Sequence, residues 1–107
     1  MTTFEEREKG FETKYKRDQE LQFKVNARRN KLLGLWAAEK LGLDPAAAEA
    51  YAKEVVMSDF DEPGDSDVLR KVMDDLGAAS VAVEEHAIRR EMDRLLALAK
   101  EQVQRDS

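Results

Sequence analysis

At 107 residues with a formal net charge of −5, the chain is long enough for one modest core and too short for two domains. Its composition, 38% charged and 42% hydrophobic with 7% aromatic residues, five Gly and two Pro, fits a small helical protein with short connections rather than a disordered chain or a β-sandwich. The absence of cysteine excludes disulfides, thiolate metal sites and cysteine nucleophiles. With no apolar signal core and no run of about eighteen apolar residues, we expect a soluble, cytoplasmic protein without membrane insertion.

The first forty residues read as one long helix with two unlike halves. Thr2 and Thr3 are each followed three residues later by Glu5 and Glu6, the spacing at which a hydroxyl and a carboxylate cap the free N–H groups of a helix start. Glu5–Lys9, Glu12–Lys16 and Glu20–Lys24 sit four apart in the favourable order, each stabilising by about 0.2–0.5 kcal/mol. Gly10 offsets this by about 1 kcal/mol relative to Ala. Before Leu21 the large apolar side chains are Phe4, Phe11 and Tyr15, whose spacing places them on one narrow stripe. Such a stripe is too thin to build a core, and it is wide enough to lie in another protein's groove. Residues 1–18 are therefore expected to be helix-prone and frayed in the free protein. From Leu21, through Phe23, Val25, Leu32, Leu33, Leu35 and Trp36, the helix carries enough apolar surface to pack. Gly34, Ala37 and Ala38 are small enough to let a neighbouring helix approach closely.

Gly42 is a helix stop, and Asp44-Pro45 gives an N-cap followed by proline at the first helical position. The second helix, to about Asp59, would turn Ala47, Tyr51, Val55, Val56 and Phe60 inward. The stretch DFDEPGDSD is a turn by composition. A third helix, capped by Asp65 or Ser66, carries Val68, Leu69, Val72, Met73 and Leu76 and is expected to end at Gly77. Ser80 is expected to cap a fourth, with Ile88, Met92, Leu95, Leu96, Ala99 and Val103 on one face. No stretch alternates with period two, so no strands are expected. The fold class is all-α, a compact up-and-down four-helix bundle over residues 19–107, preceded by a partner-binding segment at 1–18.

The residues offer little to catalysis. Asp59, Asp61, Gly64 and Asp67 fall at calcium-loop positions, but Pro63 occupies position five and Arg70 stands where a bidentate Glu must close the shell. His86, the one histidine, has no second nitrogen ligand and no nucleophile in a recognisable pairing, and the paired carboxylates lie on helix faces. No metal, cofactor or catalytic group is predicted. Residues 1–40 hold ten Lys/Arg against seven Asp/Glu, so the front is mildly basic and the rest acidic. Lys24, Arg28, Arg29 and Lys31 therefore leave open a small helical module for nucleic acid or an anionic surface, although the acidic balance of the whole chain makes nucleic acid unfavourable. Arg28, Arg29 and Asn30, at the junction of the two halves, form a candidate secondary contact set or a solvated hinge.

The tract ARRNKLLGLWAAEKLG (Ala27–Gly42), the opening MTTFEERE, and the stretch from Ala50 to Leu76 containing AYAKEVV, SDF, EPGD and RKV resemble the zeta subunit of alphaproteobacterial rotary ATP synthases. The resemblance covers residues 1 to about 103. It implies a non-enzymatic inhibitor of ATP hydrolysis whose N-terminal segment orders as a helix on entering the catalytic interface. There it would block rotation in the hydrolytic direction. The implied partner is the catalytic sector of the synthase, its alpha, beta and gamma subunits, and the implied location is cytoplasmic, at the inner membrane through the synthase. The inhibitory region maps onto Thr2 to about Lys16. From the stripe and its charges we select Phe4, Arg7, Lys9, Phe11, Lys14 and Tyr15 as its contacts. Burying the three aromatics is worth about 1.5–3 kcal/mol each, whereas ordering a frayed segment costs about 1–2 kcal/mol per residue. Helix formation and charge pairing with the partner must supply the rest.

Overall fold

The described residues form four helices: α1 (Thr2–Leu41), α2 (Pro45–Ser58), α3 (Ser66–Ala78) and α4 (Glu85–Asp106). A computed structural model describes the backbone of residues 2–59 and 66–106 and the side chains of residues 19–59 and 66–106. No strand occurs among them, as the periodicity predicts. The inward Phe60 and the Pro63-Gly64 turn lie outside the described residues, as do the side chains of residues 1–18, whose backbone continues α1.

The helix ends follow from local chemistry. Gly42 has φ +73°, its N–H donates to the Glu39 carbonyl (3.1 Å) and the Leu43 N–H reaches back to the Ala38 carbonyl (3.0 Å). That pair of bonds is a Schellman motif, which satisfies two carbonyls at the end of α1 and needs a left-handed residue. Two residues on, the Asp44 side chain accepts from the Ala47 N–H at 2.7 Å, and Pro45 occupies the first turn of α2, where a missing N–H costs nothing. The end of α3 differs from expectation. Gly77 lies inside the helix, and Ser80, at φ 60°, takes the left-handed position: its N–H donates to the Gly77 carbonyl (3.0 Å) and the Val81 N–H to the Leu76 carbonyl (2.9 Å). Ser80 therefore closes α3 instead of capping α4, which begins five residues later at Glu85.

α1 is the central element. Val25 clusters with Ala99 and Val103 of α4, so these two helices run antiparallel. α2 packs on another side of α1, where Gly34 faces Ala52 and Val55. A Cβ on Gly34 would fall 2.6 Å from the Ala52 Cα, closer than packed atoms tolerate, so the glycine is what lets the two backbones come together. Ala37 and Ala38 are both fully buried. α2 and α4 make no backbone approach to each other among the described residues. α3 joins the two sides through Val68, Leu69, Val72 and Leu76, which complete the core with Leu33, Tyr51, Val55, Ile88, Met92 and Leu95. Leu32 packs against both this cluster and the one at Val25. Trp36 is partly buried against the core with the Lys40 ammonium 4.9 Å from its ring centroid.

Packing of α1 starts later than the apolar count predicts. Leu21 and Phe23 are 40% and 58% exposed, and Val25 is the first buried residue among the described side chains. Composition registers that apolar side chains are present; it does not register that Leu21 and Phe23 line an open groove with Val56, Val103 and Asp106 instead of a closed core.

Candidate functional site

The six contacts selected from the sequence, Phe4, Arg7, Lys9, Phe11, Lys14 and Tyr15, lie on α1 ahead of the first described side chain. What the structure places is the stretch that carries them. From Gln19 to Lys24 every residue of α1 is exposed, with Gln22 Nε2 donating to Asn26 Oδ1 at 3.1 Å one turn on. Between this stretch and the ends of α2 and α4 runs an open groove of about 410 Å³, floored by Ala27, walled by Val56 and Val103, and edged by Lys24 and Lys31.

The junction set does not form a solvated hinge. Arg28 lies across the end of α4, its Nη1 donating to Gln102 Oε1 (3.0 Å) and its Nη2 to Asp106 Oδ2 (2.9 Å). Arg29 is 7% exposed and Asn30 fully buried. Arg29 Nε donates to Asn30 Oδ1 at 3.0 Å, and Asn30 Nδ2 is buried without a hydrogen-bond partner. Arg29 and Asn30 therefore belong to the bundle's interior and offer no surface, and the basic run Lys24–Lys31 is not one exposed cationic face. A charge-rich run suggests solvation, but positions 29, 30 and 33 fall within one helical turn of each other, and Leu33 is core.

A second polar cluster, which the sequence does not announce, ties α2 to α3. The buried Tyr51 hydroxyl donates to Asp75 Oδ2 at 2.8 Å. Lys71 Nζ donates to the same oxygen (3.1 Å), lies 3.4 Å from Glu54 Oε2 and sits 5.4 Å from the centroid of the Tyr51 ring. Burial, then the hydrogen bond to Asp75 and the charges of Asp75 and Glu54, push the Tyr51 phenol well above its ordinary value. For Lys71, burial lowers the ammonium's pKa, but Asp75 and Glu54 outweigh it and the net direction is upward. Both groups are thus held in their protonated forms, which makes the cluster a structural clamp. A general base would need the opposite shift. The i, i+24 separation of Tyr51 and Asp75 hides the pairing from any local pattern.

His86 is exposed, with Nδ1 3.2 Å from Glu84 Oε2. Among the described residues no three His, Cys, Asp or Glu side chains are grouped to hold a metal, and no helix is long and apolar enough to cross a membrane.

The sequence profile of the ATPase inhibitor subunit zeta family matches residues 1–102. The chain belongs to that family. The match includes the opening of α1 as well as the bundle, and the role that it assigns is regulatory inhibition of an ATPase, with the ATP synthase as partner. A protein solved by solution NMR is 47% identical, covering 81% of this chain and 99% of its own, with a TM-score of 0.72. No protein in the curated set matches. As a zeta-family member, the chain has the four-helix architecture that the resemblance implied.

Proposed function

We propose that this protein inhibits ATP hydrolysis by the rotary synthase through residues 2–16, which fold into the catalytic interface formed by the alpha, beta and gamma subunits and block rotation in the hydrolytic direction. The observation that carries the reading is the division of α1. The helix runs from Thr2 to Leu41, yet the first buried residue among its described side chains is Val25. The bundle therefore holds the C-terminal part of the helix, and ahead of it Gln19–Lys24 are exposed.

On this reading Phe4, Phe11 and Tyr15 are the apolar anchors, and Arg7, Lys9 and Lys14 pair with acidic groups of the interface. A segment that is helix-prone by its caps and ion pairs, and frayed when free, gains its structure on insertion. The ordering cost then falls due only when the interface is open. Inhibition depends for this reason on turnover of the enzyme, and rotation in the synthetic direction expels the segment. The protein resides in the cytoplasm, at the inner membrane through the synthase.

The test is a chain lacking Met1–Lys16. Because all the excised residues precede Val25, the bundle keeps its helix content and melting temperature. Inhibition of the purified catalytic sector is expected to disappear; undiminished inhibition would overturn the reading. The nucleic-acid alternative gains nothing from the geometry, since Arg29 is inside the bundle and Arg28 is ion-paired with Asp106.

A further inference from the structure

The large apolar side chains exposed among the described residues are Leu21, Phe23, Leu43 and Met57. All but Leu43 gather at one end of the bundle. Leu21 and Phe23 line the groove of about 410 Å³ over Ala27, with Val56 and Val103 as its walls. Met57, 64% exposed, lines a second hollow of about 360 Å³ together with Ala52. The two hollows share Lys31 and Val56, so they form one surface laid along α1. Apolar side chains exposed singly need no explanation, whereas a contiguous set inside a polar rim marks a place where another molecule sits.

The rim is basic in a chain whose net charge is −5. Lys24, Arg28, Lys31 and Lys53 stand along it, against Glu49 and Asp106. Asp106 is taken up by Arg28 at 2.9 Å, and Lys24, Lys31 and Lys53 make no ion pair with a described residue. Unpaired ammonium groups are thus left beside an apolar floor. From Leu21 to Lys31 the helix rises about 15 Å, the length of about three turns of a second helix laid against it.

We propose that this groove receives an acidic amphipathic helix on the outer face of the catalytic sector, beside the place where residues 2–16 insert. The proposal rests on the reading of residues 2–16 as the inserted segment, because Leu21 follows Lys16 by little more than one turn of the same helix and must lie beside whatever holds that segment. Apolar residues of the partner helix cover Leu21, Val56 and Met57, and its carboxylates meet Lys24, Lys31 and Lys53. The groove and the inserted segment then bind as two linked sites, each raising the effective concentration of the other. The groove contributes affinity, and the block itself stays with the inserted segment.

Three full-chain variants test this: Lys24→Glu/Lys31→Glu, Leu21→Gln/Met57→Gln, and Arg90→Glu/Lys100→Glu, which makes the same charge change at exposed positions of α4 outside the groove. The dissociation constant for the purified catalytic sector is measured at low and high ionic strength, together with inhibition of ATP hydrolysis. All six positions are exposed, so an unaltered melting temperature verifies the bundle in each variant. At low salt both groove variants are expected to bind at least about tenfold more weakly, the charge-reversed one with a flatter salt dependence. Each should still reach full inhibition at higher concentration, and the α4 variant should bind as the native chain does. Native affinity in either groove variant would overturn the proposal, and so would an equal loss in the α4 variant, which would assign the effect to net charge. Self-association of the native chain that Lys24→Glu/Lys31→Glu abolishes would overturn it in favour of a second copy as the occupant. The two readings fail separately: groove variants of native affinity leave the inserted segment standing, whereas a chain lacking residues 1–16 that still inhibits removes the reading on which the groove rests.

Discussion

Gly34 shows how one missing methyl group positions two helices. Because a Cβ at this position would stand 2.6 Å from the Ala52 backbone, Gly34→Ala forces α1 and α2 apart, a strain of about 1–3 kcal/mol. The helix-propensity gain of about 0.8–1 kcal/mol recovers only part of this. The expected outcome is a lower melting temperature and a lower urea midpoint; an unchanged midpoint would mean that α2 shifts at no cost. Tyr51 makes a prediction in pH. Its folded pKa is raised above the ordinary value near 10, so its contribution to stability is fully present below about pH 10 and is lost as pH climbs toward the folded value. Tyr51→Phe removes a hydrogen bond worth about 1 kcal/mol at neutral pH, and the gap in unfolding free energy between native and variant chains should narrow above pH 10. A gap that stays constant up to pH 11 would detach the phenol from the clamp. These two sites also mark what the sequence discloses. Gly34, Ala37 and Ala38 announce close approach by size alone. The Tyr51–Asp75 bond joins two helices, and nothing in the local order of residues points to it.

At the scale of elements, the helix ends separate into those that residue type announces and those that the path of the chain decides. Asp44-Pro45 and Gly42 are specialised for their positions, and the end of α1 and the start of α2 fall where these residues predict. Ser80 holds a left-handed conformation for which serine is not suited, because the Schellman bonds to Gly77 and Leu76 fix it there, while Gly77 sits inside a helix that does not use its freedom. Two substitutions follow. Ser80→Gly relieves about 1 kcal/mol of backbone strain, and Gly77→Ala, with nothing within 4 Å of the added methyl, gains about 0.5–1 kcal/mol of helix propensity. Together they should raise the melting temperature by roughly 6–12 °C, and a fall would show that the end of α3 is held differently. The buried faces of α3 and α4 were legible throughout, since in each the core residues gather on a single amphipathic face. α1 was less so, because it is surrounded by α2, α3 and α4, and a helix covered on several sides buries polar residues such as Arg29 and Asn30 that periodicity assigns to solvent.

On the proposed reading, the molecule as a whole is built on a helix shared between a bundle and a partner. The bundle half is anchored by Val25, Leu33, Ala37 and Ala38, and the projecting half has the composition of a segment whose fold depends on what it meets. The fold class and the family were legible because a tract such as Ala27–Gly42 is both core-forming and distinctive. The point at which packing begins was not, since Leu21 and Phe23 look like core until the open groove that they line with Val56 and Val103 is known. The most direct test of the central claim is amide hydrogen exchange along α1, with and without the catalytic sector turning over ATP. Amides of residues 25–41 should be protected in both conditions, and those of residues 2–16 should exchange quickly in the free protein and become protected in the complex. Inhibition with no gain of protection in residues 2–16 would contradict the account.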